Sequence, residues 1–128
     1  MYKRQSGLSA QVGDALTAVA ALPVFAMMLL LALAVTFLTE ATSNTATTAL
    51  LMPVLAAVAL AVEIDPLWLM VPAAMSASCA FMLPVATAPN AVVFGSGELP
   101  IRRMVREGFA LNLIGALLIA SVAWVLLT

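Results

Sequence analysis

Leu83-Pro84-Val85-Ala86-Thr87-Ala88-Pro89-Asn90 lies inside residues 66–97, an uncharged stretch too long to be one helix across a bilayer. As continuous α-helix, 66–97 would reach about 48 Å at ~1.5 Å per residue, against a hydrocarbon core of about 30 Å. The stretch carries its own interruption. Pro89 biases Ala88 away from helical angles, and its fixed φ suits the first turn of a new helix. Residues 66–97 are therefore most economically a broken transmembrane helix: about 67–85, a loop near 86–88, and a short helix from 89 to about 96. Gly95-Ser96-Gly97 closes it.

Outward from this break, charges again divide the chain. Three further uncharged stretches, 15–39, 41–62 and 108–128, each have about the length a spanning helix needs. Of the 128 residues, 65% are hydrophobic and 9% charged, and mean hydropathy is +1.17. A soluble domain is about 45–50% apolar and about 25% charged, so this chain has too little polar surface to cover a water-soluble globule. An all-α integral membrane protein is expected. A net charge of −1 offers no basic field to nucleic acid. With no His and one Cys, most zinc sites, His-based acid–base chemistry and an intrachain disulfide are disfavoured. No enzyme is expected. A secretory signal is a poor fit to 15–39, which exceeds an h-region of about 7–15 residues.

Segment 23–62 reads as a re-entrant helical hairpin. Pro23 marks a kink or a new helix start. Segment 41–62 opens with Ala41-Thr42-Ser43-Asn44-Thr45-Ala46-Thr47, and its apolar part runs only from Ala49 to Val62. That part covers roughly 21 Å, short of the core thickness. One arm along 24–41, a tip at 42–45 and a return along 46–62 fit these lengths. Irregular backbone at membrane depth survives only where protein or a water-filled cavity surrounds it. An ordinary polar loop between two spans is the alternative. A final transmembrane helix falls within 104–128, with its body at 107–127. Trp124 suits one interface and Trp68 another. Residues 1–22 form an incoming segment, of which Met1–Gln5 read as a cloning or assembly scar.

Arg102, Arg103 and Arg106 in a short loop place that loop in the cytoplasm by the positive-inside rule. Glu63, Asp65 and the C-terminus then lie outside, in a plasma or inner membrane, and the hairpin opens outward. Lys3 and Arg4 count against this by parity.

The tip and the break are both rich in small hydroxyl and amide residues. Ser43 or Asn44 can N-cap a helix starting near Thr45, and Thr87 can cap the short helix at 89. Each start exposes N–H groups and the positive dipole end, which suit an anion. Carbonyls freed at the ends of the preceding segments suit a small hard cation, as in transporters built on discontinuous helices. The bland alternatives are packing hydroxyls and a mere proline kink. Glu40, flanked by long apolar runs, is either a functional acid or an organiser of the tip that accepts backbone N–H bonds.

Thr39-Glu40-Ala41-Thr42-Ser43-Asn44-Thr45-Ala46-Thr47 resembles the Ser-Asn-Thr hairpin of the divalent anion:sodium symporter family, whose members carry dicarboxylates, citrate and sulfate. The run from Ala77 to Val93 resembles that family's signature, above all at Ser78, Phe81, Pro84, Val85, Ala86, Asn90 and Val93. The resemblance covers roughly 23–127. It implies an inverted-repeat transporter, of which this chain is like the second repeat's hairpin, broken helix and last helix. It implies that Ser43, Asn44, Thr45 and Thr87 contact the substrate carboxylate. It implies a Na⁺ site from the backbone of Thr39, Thr42, Ala86 and Ala88 with the Asn44 side chain. Na⁺ is thus a coupled ion rather than a prosthetic group. Ala88 stands where the family often has Pro, which leaves the loop less rigid. The implied partners are a small anion, the lipid bilayer, the remaining N-terminal repeat and, in full-length form, a second copy as a homodimer. A chain of this length is expected to be a fragment or a natural half, and to transport nothing alone. The expected function is Na⁺-coupled di- or tricarboxylate or sulfate transport. The alternatives are an anion exchanger or H⁺-coupled carrier on the same scaffold, or a non-transporting assembly subunit.

Overall fold

Pro23 starts a helix: it is the N-cap of α1 (Val24–Thr39), in extended backbone. The computed structural model describes residues 21–128 together with Gln11, Asp14, Ala15 and Ala18. The incoming segment 1–22 therefore lies almost wholly outside the described residues. After α1 come α2 (Asn44–Ala61), α3 (Leu67–Ser76), α4 (Ala88–Gly95) and α5 (Ile101–Leu127). Among the described residues there is no strand.

α1 packs against α5, α3 and, more lightly, α2, and α3 also touches α2 and α5. The seams are made of small and unbranched side chains. On α5, Met104, Gly108, Asn112, Ala116 and Ala120 are all buried. Their spacing of four places them in one ridge along the helix, and small residues let backbones approach. Opposite them Met28 and Ala32 of α1 are fully buried. A second cluster joins Met27, Val35, Leu55, Ala59, Leu69, Ala73 and Ala77. The outer faces are apolar, with Leu50, Val54, Leu60, Leu117, Leu118, Val125 and Leu126 exposed. A water-facing surface rarely carries so continuous an apolar cover.

Among the described residues two helices, α2 and α5, are long and apolar enough to cross a membrane. α1 and α3 are shorter apolar helices. In place of the expected helix to about residue 85, α3 ends at Ser76 and the chain runs without regular structure from Ala77 to Thr87. α5 begins at Ile101, so Arg102, Arg103 and Arg106 occupy its first two turns instead of a loop. The sequence placed Trp68 and Trp124 at separate interfaces. Instead their rings meet edge to face at 5.6 Å, and Phe25 meets Trp124 in the same way at 5.9 Å. The start of α1, the start of α3 and the end of α5 thus share one end of the molecule.

α2 ends in a Schellman motif. Ile64 N–H donates to Ala59 C=O at 2.9 Å and Glu63 N–H to Leu60 C=O at 3.2 Å. Glu63 takes the left-handed position, φ 59°, where glycine is usual.

Candidate functional site

The turn between α1 and α2 and the non-helical stretch before α4 face one another across an open pocket of about 580 Å³. Its walls are Glu40 to Thr45 on one side and Val85 to Ala88 on the other. Thr42, Ser43, Asn44, Thr45, Ala86, Thr87 and Ala88, all singled out from sequence, line it together. Thr39, the remaining one, is fully buried behind the wall.

Local chemistry explains both helix starts. Ser43 is the N-cap of α2, its Oγ accepting from Ala46 N–H at 3.5 Å. Thr87 is the N-cap of α4, its Oγ1 accepting from Asn90 N–H at 3.3 Å, with Pro89 in the first turn. Of the two cap candidates at the tip, Ser43 takes the role and Asn44 is the first helical residue. The two N-termini therefore meet at the same pocket, each with its positive dipole end and free N–H groups.

Behind the tip the hydroxyls are spent. Thr42 donates to Leu38 C=O at 2.9 Å and lies 2.7 Å from Thr47 Oγ1. Thr39 donates to Ala77 C=O at 2.9 Å, and its hydroxyl also meets the Asn44 side-chain amide. A hydroxyl has one proton, so both contacts are satisfied when Asn44 turns its NH₂ to Thr39. As the structure stands, Asn44 Oδ1 is the atom that meets Thr39 Oγ1; the turned amide would put NH₂ there and leave the oxygen for a ligand.

Glu40 organises the break. It is 5% exposed. Its Oε1 accepts from Phe81 N–H at 2.8 Å and Met82 N–H at 2.9 Å, and its Oε2 from Leu83 N–H at 3.0 Å. Asn112 Nδ2 donates to the same Oε1 at 2.7 Å, while Asn112 Oδ1 accepts from Phe81 N–H at 3.3 Å. Asn90 closes the other side, its Nδ2 donating to Ala80 C=O at 2.8 Å and Leu83 C=O at 3.0 Å. Backbone groups that would be costly to bury unpaired thus find side-chain partners. Glu40 does accept backbone N–H bonds, but from the break rather than from the tip. Gly108 makes the approach possible: a Cβ there would stand 2.3 Å from Phe81 O and 2.6 Å from Met82 Cα.

Gly108, Asn112 and the clamping role of Asn90 were missed from sequence. Asn112 carried a usable signal, as the only amide or charged residue after Glu107 in an otherwise apolar run.

Apart from Glu40, the pocket lining presents neutral oxygens and N–H groups. Among the described residues no three His, Cys, Asp or Glu gather to hold a metal. Neutral oxygen ligands suit a hard, weakly held cation such as Na⁺ rather than a thiolate- or imidazole-loving metal.

Apolar helices that stop in mid-run, with two N-termini turned on one pocket, define an integral membrane protein built on interrupted helices. The sodium:sulfate symporter transmembrane region matches residues 2–128, and the chain belongs to that family. It is 45% identical over 122 residues to the sodium-dependent dicarboxylate transporter SdcS of Staphylococcus saprophyticus, covering 95% of this chain and 24% of the relative. It is 51% identical over 115 residues to mouse solute carrier family 13 member 2, covering 90% and 20%. To the human counterpart it is 48% identical over 116 residues, covering 91% and 20%. The chain thus spans between a fifth and a quarter of the length of these relatives.

Proposed function

We propose that this chain supplies a carboxylate- and Na⁺-binding pocket of a secondary transporter that couples uptake of a di- or tricarboxylate, or of sulfate, to Na⁺. Dicarboxylates are favoured because the staphylococcal relative is named for them. The observation that carries the proposal is the convergence of the Ser43 and Thr87 caps on one pocket. Ser43, Asn44, Thr45 and Thr87 hold a substrate carboxylate with N–H and O–H donors. The carbonyls of Thr39, Thr42, Ala86 and Ala88 with the Asn44 oxygen hold Na⁺. Glu40 adds the reason for coupling. Its negative charge backs the pocket, so an entering carboxylate is repelled until a cation stands between them.

The hairpin of α1 and α2 is re-entrant in this proposal. Support comes from depth. Its end at Glu40 bonds to Asn112, which lies about 16 Å along α5 from Ile101 and about 22 Å from Leu127. The tip therefore sits beside the middle of the longest helix. Phe81, Met82 and Leu83 of the break, bonded to the same Glu40, lie at that level. A matching first repeat and a homodimeric assembly belong to the same proposal.

An H⁺-coupled carrier would need a free acid facing the pocket. Glu40 is engaged by three backbone N–H groups and an amide, which favours Na⁺. The test is succinate uptake into proteoliposomes by the protein in its full natural length. Uptake is expected with an inward Na⁺ gradient and not when choline replaces Na⁺ at fixed pH. Equal uptake in choline would overturn the coupling, and uptake of sulfate alone would overturn the carboxylate assignment.

A further inference from the structure

α5 lines no part of the pocket; it touches the segments that do through Asn112, bonded to Glu40, and Gly108, packed on Phe81. Asn112 is fully buried. It is bonded at both ends of its amide, donating to Glu40 Oε1 at 2.7 Å and accepting from Phe81 N–H at 3.3 Å. Among the described residues Glu40 has no cationic partner; its charge is met by three N–H groups of the break and this one amide. A buried carboxylate keeps a fixed place only while its lone pairs are filled. Among the described residues Asn112 is the one side chain that donates to it. It also grips the same N–H, at Phe81, that begins the run of three.

We infer that Asn112 is a positioning residue: it holds Glu40, Glu40 holds Phe81–Leu83, and that path sets where Ala86 to Ala88 stand in the pocket wall. The chain from Leu83 to Ala86 is short and itself bonded, Ala86 N–H donating to Leu83 C=O at 3.2 Å. A shift at Leu83 therefore passes on to the carbonyl and cap that face the ligands. The inference rests on the proposed Na⁺ and carboxylate pocket and adds the last helix to what controls its affinity. Loss of Asn112 loosens the cation site first, because carbonyl ligation depends on backbone placement, whereas the hydroxyls of Ser43 and Thr45 belong to the other wall.

The test uses the full-length protein in two readouts. In Asn112→Leu, hydrogen–deuterium exchange of the peptide holding Phe81–Leu83 should quicken, and the Na⁺ concentration for half-maximal uptake should rise, each on the order of tenfold, the effect of one lost charge-assisted bond. Maximal rate per folded molecule should fall less. Because Asn112→Leu could fail to fold, Asn112→Asp is measured beside it, alone and with Glu40→Gln. The single change sets two carboxylates together, and the double change restores one donor and one acceptor, so Na⁺ half-saturation should recover in part. Unchanged exchange at Phe81–Leu83 overturns the inference. So does lost expression with unchanged Na⁺ half-saturation in the folded remainder, which marks a merely structural residue. Absent Na⁺-dependent uptake by the wild type sinks the proposed function instead, and the exchange readout still decides whether Asn112 holds the break.

Discussion

Gly108 shows how narrowly one position can be set. The nearest atoms to a Cβ at this site are backbone, Phe81 O at 2.3 Å and Met82 Cα at 2.6 Å, so no rotamer change relieves them. Gly108→Ala must push α5 away from the break or distort it. Overpacking of this kind costs about 1–3 kcal/mol, and a lower thermal midpoint in detergent is expected. Gly115, where a Cβ would meet nothing within 4 Å, is the control: Gly115→Ala should leave the midpoint unchanged or raise it. An equal fall in both would place the sensitivity in the helix and not in its contact. At the pocket, Thr87→Val removes the hydroxyl that caps α4, and Asn44→Ala removes the amide beside Thr39. Each cap or amide loss costs about 1 kcal/mol of stability, which leaves expression intact. Each ligand loss costs about 1.5–3 kcal/mol of binding, or roughly a ten- to hundredfold rise in half-saturating substrate or Na⁺. Unchanged uptake in both variants would remove these residues from the site.

Among the elements, the starts of α1, α2 and α4 were legible in sequence, and the end of α3 and the start of α5 were not. Ser43 and Thr87 act within three residues of themselves, and capping is local chemistry that a sequence carries on its face. Pro23 and Pro89 likewise fix their own φ. Nothing local stops a helix at Ser76. Ala77, Ala80 and Phe81 would continue one, and what prevents it is distant: Glu40 and Asn112 take the N–H groups of 81–83 from other helices. The expected end near 85 followed the prolines, while the actual end follows tertiary hydrogen bonds. The Trp pair was misplaced for a related reason. Each ring was placed by its own segment, and only packing brings Trp68 against Trp124. The turn after α2 gives this scale its own prediction. Glu63 sits at φ 59°, and a left-handed residue other than glycine costs roughly 1–2 kcal/mol. Glycine gives back part of that through unfolded-chain entropy, about 0.4–1 kcal/mol. Glu63→Gly should therefore stabilise by about 0.5–1 kcal/mol, seen as a higher thermal midpoint. A lower midpoint would mean that Glu63 makes a contact worth more than its strain.

At the scale of the whole molecule, charge and aromatic rings divide the ends of the bundle. Arg102, Arg103 and Arg106 stand at the start of α5, and Trp124 at its other end lies against Trp68, two residues beyond the Pro66 that follows Asp65. Arginines gathered at one end, with Glu98 and Glu107 beside them, are the pattern the positive-inside rule reads as cytoplasm, since it counts Lys and Arg rather than net charge. The orientation we propose from this has the arginines inside, the aromatic cluster and Thr128 outside, and the pocket reached from outside. Cys79 is the one cysteine of this chain, and the test is made in the full-length protein with Cys79 and every other cysteine replaced by serine. In that background Thr128→Cys should react with a membrane-impermeant maleimide applied to intact cells, and Arg102→Cys only after permeabilisation. Ser43→Cys, exposed on the pocket wall, should react from outside in choline and more slowly when Na⁺ and succinate are both present. Thr128 labelled only after permeabilisation would invert the orientation while leaving the pocket intact. Ser43 labelled equally with and without Na⁺ and succinate would leave the orientation standing and empty the pocket of its proposed occupants.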